Sequence, residues 1–400
     1  MLRFKNDDGS EFPEWEEKKI GELGAFIKGA ALSKADISES GSPLILYGEL
    51  YTTYKEVAYN IQRKTQAVVD KKYYSCVGDV IIPTSGESAE EISTATCVMV
   101  PDVILGGDLN IFRSDIVDGR IMSYILNHQA KWKIATIAQG KSIVHIQAKQ
   151  LSNICVKYPL SKVEQQKIAE FLSTIDTVIE KQKETVSAWE ERKKGVMQKL
   201  FSQEVRFKAD DGSNFPEWEE KKLGEVGDIV TGNTPSTKQN DYYGECYLWV
   251  TPTDITDSRE VTSTAKMLTE LGYTVARHIP ANSILVTCIA SIGKNAILRE
   301  NGSCNQQINS ITPYDEYSVE FVYYLICQNE KLLHANAGTG GMEILNKENF
   351  SKIKMYFPCF AEQQKIADCL SSLDEVIEKQ KATLAAWEEL KKGLLQQMFV

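Results

Sequence analysis

Two stretches of this chain occur twice, in the same order, and any fold has to accommodate both copies. Residues 2–23 (LRFKNDDGSEFPEWEEKKIGEL) return as 205–226 with 17 of 22 positions identical, and residues 164–201 return as 362–399 with 25 of 38 identical. The copies lie 203 and 198 residues apart, so the chain consists of two near-equal units whose interiors have diverged. Near-identical frames around unlike inserts suit one scaffold presenting two different surfaces, which points to a bipartite binding protein ahead of an enzyme with one pocket.

The later repeat carries a heptad seam. Ile168, Leu172, Ile175, Ile179, Gln182, Val186, Trp189, Lys193, Val196 and Leu200 step by four and three, and Ile366, Leu370, Leu373, Ile377, Gln380, Leu384, Trp387, Lys391, Leu394 and Met398 repeat the pattern. Neither stretch contains proline, and Pro159 and Pro358 precede them. Each is therefore predicted to be a helix of about 38 residues, roughly 55 Å long. A narrow apolar stripe needs a partner, and the other copy in the same chain is the cheapest one. The pairing positions are expected to include Leu172, Ile175, Ile179 and Gln182 with Leu370, Leu373, Ile377 and Gln380. The two mid-seam glutamines either meet and fix an antiparallel register, or reach solvent.

The earlier repeat opens on turn chemistry (Asp-Asp-Gly-Ser, then Pro) and is expected to end in a short amphipathic piece. Phe12, Trp15 and their copies Phe215 and Trp218 are expected to plug the junction between helix and globular body. The inserts read as mixed α and β: strand-like runs at 77–83, 97–100, 247–250, 283–289 and 353–357, helical runs at 121–129 and 320–328. Both inserts hold a buried strand ending in threonine (Thr84, Thr287), then a helix, a glycine-rich turn and a last strand, so the duplication is expected to cover the whole chain. The fold class is α+β. Two pseudo-repeated globular domains, 1–158 and 204–357, are joined by two long helices, 159–203 and 358–400, packed as an antiparallel coiled coil with pseudo-two-fold symmetry.

Composition narrows the function. The net charge of −10 argues against nucleic acid at face value, since a basic footprint is its usual sign. The acidity is concentrated in the repeats, however, and the first insert holds basic clusters such as Arg63-Lys64, Lys71-Lys72 and Lys131-Trp132-Lys133. There is no signal-peptide layout and no run of eighteen apolar residues, which leads to a cytoplasmic expectation. The nine cysteines are scattered and never form a C-x-x-C pair, so they read as reduced core residues. Ile292-Gly293-Lys294-Asn295 lacks the upstream glycine and the hydroxyl of a phosphate loop. No Pro-Pro pair exists, which excludes the Pro-Pro motif of amino-methyltransferases. The four histidines have no metal-ligand spacing, and no catalytic triad can be singled out. Catalytic and metal residues are thus expected to be none, and no cofactor is expected on this chain.

Candidate contact residues sit in insert loops rich in aromatics, amides and hydroxyls, which suit hydrogen bonding to base edges. In the first insert they are Tyr47, Glu49, Tyr51, Thr52, Tyr54, Ser85, Gln139, Lys141 and Ser142. In the second they are Thr251, Thr253, Asp254, Lys294, Gln306, Gln307 and Thr339.

The doubled pattern Glu-Gln-Gln-Lys-Ile-Ala at 164–169 and 362–367, with Asp176, Ile179, Asp374 and Ile377 downstream, resembles the specificity subunit of bacterial type I restriction-modification systems. The upstream FPEWEEKKLGE is also similar to that family, and the resemblance spans essentially all 400 residues. It implies that each insert is a target-recognition domain reading one half of a split double-stranded DNA sequence. It implies two methyltransferase subunits docked on the repeats, and restriction and translocation subunits that join them. S-adenosylmethionine, ATP and Mg would be used through those other subunits, and this chain would catalyse nothing. Helices of about 55 Å separate two domain centres by on the order of one duplex turn, about 34 Å. Two rivals stand beside this reading. One is a tandem-domain protein–protein adaptor on a coiled-coil scaffold, which the acidic balance favours. The other is the recognition portion of a fused enzyme, for which a chain starting at one repeat and ending at the other is expected to leave no room.

Overall fold

The computed structural model describes residues 2–138, 144–338 and 343–399. The chain folds as two compact units, one formed by Met1–Lys183 with Ala382–Val400 and the other by Glu184–Lys381. The later repeats are the two long helices, Lys162–Phe201 (40 residues) and Phe360–Met398 (39 residues). Each is divided between the units, so every unit owns the start of one helix and the end of the other. In the first unit Ile168, Leu172, Ile175 and Ile179 share a core with Leu384, Trp387, Leu394, Leu395 and Met398. In the second, Val196, Met197, Leu200 and Phe201 share one with Ile366, Leu370 and Leu373. Start against end means that the helices pair antiparallel within each unit. Leu172 and Leu370 are fully buried, Ile175, Ile179 and Ile377 nearly so, and Leu373 half-buried. Burial of such side chains stabilises by roughly 1.5–3 kcal/mol each. Gln182 belongs to the first unit and Gln380 to the second, and both are half-buried.

The inserts share one sheet. In the first unit five strands lie in the order Ala25–Lys28, Leu109–Arg113, Asp79–Pro83, Thr96–Val98, Val57–Ala58. In the second the order is Gly227–Thr231, Ile308–Pro313, Ser283–Thr287, Asn295–Leu298, Glu260–Val261. The first four strands are antiparallel and the last is added parallel in both. Register corrects one detail of the sequence alignment. Leu109 faces Pro83 and Ile308 faces Thr287, so Thr287 is the counterpart of Pro83, and Thr84 matches Cys288. A one-residue slip turns a strand side chain to the opposite face, so the two threonines do different jobs.

The earlier repeat ends, as expected, in a short amphipathic piece, a strand of alternating burial followed by one helical turn that buries Ile20 and Leu23. Its Glu-Glu-Lys-Lys is extended, and Glu16–Lys19 pairs antiparallel with Cys155–Tyr158 as Glu219–Lys222 does with Lys354–Phe357. The last strand of each insert offers a free ladder edge, and four polar residues with one face out can occupy it. Helices Gly119–Asn127 and Val319–Gln328 cover the sheets with Tyr124, Ile125 and Leu126, and with Tyr324, Leu325 and Ile326. Asp118 and Ser318 cap them, accepting the Arg120 and Phe321 amides.

The units differ in a smaller second sheet. The first has three strands, Arg63–Thr65, Ser42–Ile45 and Ile104–Leu105, and the second has four, Tyr243–Gly244, Met267–Leu268, Tyr247–Val250 and Ser303–Cys304. Three strands are shared: the parallel pair, Ile45 beside Leu105 and Val250 beside Cys304, and an antiparallel neighbour on the other side, Lys64 opposite Pro43 and Met267 opposite Leu248; the extra strand of the second unit is Tyr243–Gly244. Among the described residues no helix is long and apolar enough to cross a membrane.

Candidate functional site

The doubled Glu-Gln-Gln-Lys is a clamp that fastens helix, sheet and earlier repeat together. Glu164 is fully buried and accepts Arg3 through Nε and Nη2, both at 3.1 Å, with the Trp15 indole N–H donating at 3.2 Å. Its copy Glu362 takes Arg206 at 3.1 and 2.8 Å and Trp218 at 3.2 Å. Gln165 donates to the Pro159 carbonyl and accepts the Asp118 amide, each at 2.7 Å. Gln363 repeats this with the Pro358 carbonyl at 2.9 Å and the Ser318 amide at 3.0 Å. Lys167 ties down the Lys5 carbonyl and Asp7, as Lys365 does the Lys208 carbonyl and Asp210. The same lysines stand 5.8 Å from the Phe12 and Phe215 ring centres. These aromatic residues therefore sit at the junction between helix and body.

A second doubled constellation joins the two helices inside each unit. Asp176 accepts Lys391 at 2.8 Å, with the Tyr124 hydroxyl at 3.4 Å, and Asp374 accepts Lys193 together with the Tyr324 hydroxyl at 2.6 Å. Each lysine comes from the end of the opposite helix and stands over the tyrosine ring, at 5.9 Å in the first unit and 5.2 Å in the second. Burial, reinforced by the nearby aspartate, pushes both phenols up. Lysines at seam positions are thus ion-paired crosslinks.

Clamp and crosslink lie at one end of each five-stranded sheet, the end where Arg113 leads into the Asp118-capped helix. The candidate contact residues gather at the other end, where the parallel pair stops. In the first unit Glu49 is buried and accepts the Leu46 amide at 3.0 Å and Arg63 Nε at 2.9 Å. Tyr47 and Tyr51 make a T-shaped pair with ring centres 6.2 Å apart, and Tyr51 donates to the Ser85 carbonyl at 3.0 Å. Thr52 is exposed, and Ser85 donates to Asp108 at 3.3 Å. Tyr54 faces the core, its hydroxyl accepting the Gln62 amide at 3.1 Å. Tyr47, Glu49 and Thr52 line one concavity of about 590 Å³ with Lys34, Arg63 and Asp108. Gln139, Lys141, Ser142 and Thr339 lie outside the described residues.

In the second unit Asp254 holds the counterpart place to Glu49, accepting the Thr251 amide at 2.8 Å and hydroxyl at 2.6 Å. Its other oxygen takes the Ala265 amide at 2.8 Å. Thr253 bonds Thr251 at 2.8 Å, and exposed Gln306 accepts Thr234 at 2.5 Å. Gln307 accepts Asn305, whose own amide reaches the Val250 carbonyl at 2.9 Å, which brings these loops together. Lys294 is exposed on a separate turn whose Ala290 and Gly293 take left-handed φ of 64° and 94°. Sequence reasoning missed Thr234, Asp108 and the Tyr247–Tyr273–His278 ladder, stacked at 4.0 and 4.1 Å. It noted Arg63 only as part of a basic pair. What the loops present is a set of fixed hydroxyls, amides, a carboxylate and a guanidinium, which is recognition chemistry. Burial pushes the Cys288 thiol up to about 11, away from nucleophilic use. Among the described residues no three His, Cys, Asp or Glu side chains could hold a metal ion.

The family model of the type I restriction modification DNA specificity domain matches the chain twice, at residues 13–187 and 216–386. The chain belongs to that family. Its two units are two DNA specificity domains, each carrying its own clamp. The chain is similar to the type I restriction enzyme MjaIX specificity subunit of Methanocaldococcus jannaschii, 32% identical over 211 residues. That likeness takes in 50% of this chain and spans about half the length of the relative, 48%. The MjaVIII specificity subunit of the same organism is 24% identical over 423 residues, covering 98% of this chain and 94% of the relative. Among solved structures, the type I restriction-modification S subunit of M. genitalium has the same fold, with a TM-score of 0.64 at 16% identity, covering 100% of this chain and 98% of the other.

Proposed function

We propose that this chain is the non-catalytic specificity subunit of a type I restriction-modification complex, each unit reading one half of a bipartite double-stranded DNA target. One observation carries the reading: the same sheet, clamp and crosslink are built twice, while the far end of each sheet bears different side chains on the same backbone frame. A protein that recognised one object would have no reason to keep the frame and change the surface. In this reading the repeats dock two methyltransferase subunits, restriction and translocation subunits join them in the cytoplasm, and S-adenosylmethionine, ATP and Mg are held by those partners. Partner subunits would also supply the phosphate contacts that a chain of net charge −10 lacks. The test is methylome sequencing of a host expressing the chain with its methyltransferase. A split motif with adenine methylated in both halves is expected; no sequence-dependent methylation would reject the reading. The acidity favours a protein–protein adaptor as the second reading, which a gel shift of the chain with its methyltransferase on target and random DNA separates. An adaptor gives no shift on either duplex.

The helices are proposed to set the gap between half-sites. Deleting one heptad from both, residues 179–185 and 377–383, shortens each by about 10 Å, or three base pairs. The methylated motif is expected to lose about three base pairs of spacer, or binding is lost. An unchanged spacer would show that the helices are not the ruler.

A further inference from the structure

The first unit contains one cation that is held in place by a buried group yet has its working end free. Arg63 lies on the outer strand of the three-stranded sheet, opposite Leu44, and its side chain is 46% exposed. Its Nε donates at 2.9 Å to Glu49, whose side chain is 5% exposed and is itself fixed by the Leu46 amide. Among the described residues neither Nη atom meets a hydrogen-bond partner. The guanidinium plane is therefore set before any ligand arrives, and the arginine lines the concavity at the end of the sheet remote from the clamp with its two Nη groups uncommitted. Fixing the fork in advance removes part of the side-chain entropy that binding would otherwise cost.

The charges around it decide what it can take. Lys34 and Arg63 face Glu49 and Asp108 across the concavity, so its charged side chains sum to zero. A phosphate gains little there and meets two carboxylates. An uncharged edge with two adjacent acceptors matches the fork, and in duplex DNA that edge is the O6 and N7 of guanine in the major groove. The second unit differs in kind: Asp254, in the place of Glu49, takes the backbone amide of Ala265, and the residue in the place of Arg63 is the exposed Lys266, a point charge without a fork.

We propose that Arg63, positioned by Glu49, reads a guanine in the half-site recognised by the first unit. The inference rests on the reading of the chain as a DNA specificity subunit. It assigns one base of the target to one residue.

The test compares methylomes of hosts expressing the complete modification complex with wild-type chain, Arg63→Gln or Arg63→Lys. The wild-type motif is expected to contain a G·C pair in one half that both variants relax. Methylation of sites carrying that guanine should fall about 10- to 100-fold relative to sites with another base there, with the other half-site unchanged. Arg63→Lys keeps the charge and loses the fork, so a role as phosphate anchor would preserve the motif. Glu49→Gln is the positioning variant and should relax the same base less. In parallel, the wild-type complex is bound to duplexes with 7-deazaguanine at each guanine of the target, which removes only the N7 acceptor and needs no variant to fold. One guanine of one half-site should weaken binding about 10-fold or more. The proposal is overturned if no guanine is sensitive, or if both variants keep the full motif at unchanged or uniformly lowered methylation. A wild-type complex that methylates no split motif would instead overturn the underlying reading.

Discussion

Replacing Arg3 with alanine is expected to destabilise the first unit by about 3–5 kcal/mol, the usual cost of leaving a buried charge without its partner. Arg3 is 11% exposed and Glu164 0%, so water cannot substitute for the lost guanidinium. Without it the Trp15 N–H is the one donor left to a carboxylate that had three bonds. The hydrogen bonds to Glu164 raise the Arg3 pKa against the opposing effect of burial. Hydrogen exchange reads the effect locally. The ladder between Glu16–Lys19 and Cys155–Tyr158 should lose protection while the matching ladder of the second unit keeps it. Arg206→Ala should do the reverse, through Glu362. Replacing the pair together, Arg3→Met with Glu164→Leu, should recover much of the loss, because an apolar pair of similar size removes the stranded charge. A loss under 1 kcal/mol in the single variant would mean that the clamp is decorative.

The clamp also shows where sequence reading stops. The two long helices were legible because a seam of period 3.5 is a local signal, fully contained in 38 residues. The clamp was not, because Arg3 and Glu164 are 161 positions apart and each taken alone is an ordinary surface charge. The duplication nonetheless held the clue: Arg3 and Arg206, Glu164 and Glu362, and Trp15 and Trp218 are all unchanged between the copies while the inserts have diverged. Two copies of one unit act as an alignment of two. The inserts were harder for the opposite reason. Their strands are short, two to six residues, and threonine at a strand end was a natural anchor that proved one residue out of register. Glu49 and Arg63 were both visible as residues, but their pairing depends on strand Arg63–Thr65 folding back beside Ser42–Ile45, which no local pattern announces.

Lys391 should be the most sensitive position in the helix pairing. Its side chain is 9% exposed and lies 2.8 Å from both Glu56 and Asp176, so a single cation holds two carboxylates together. Burial works against Glu56 being charged, but His128 and Lys391 outweigh it and hold this carboxyl well below its ordinary range. Asp176 goes the other way: burial, helped by the negative charge of Glu56, raises its pKa in spite of Lys391. Burial lowers the Lys391 pKa less than the two acids raise it, so in the intact protein its contribution is lost only above the usual lysine range. Lys391→Ala is expected to cost about 3–5 kcal/mol at pH 7, by leaving the two acids facing each other without a cation. The pH dependence follows from Asp176. A raised folded-state pKa means that the folded chain binds more protons than the unfolded one through that range, so stability grows as pH falls. Without Lys391 the pKa of Asp176 climbs further, and denaturant unfolding should find the deficit of the variant clearly smaller at pH 5 than at pH 7. Lys193→Ala in the second unit should cost less, because Asp374 keeps the Tyr324 hydroxyl at 2.6 Å, and Arg259 donates to that hydroxyl at 3.1 Å. Equal losses at both pH values for Lys391→Ala would rule out the shared cation as the lock on this helix pair.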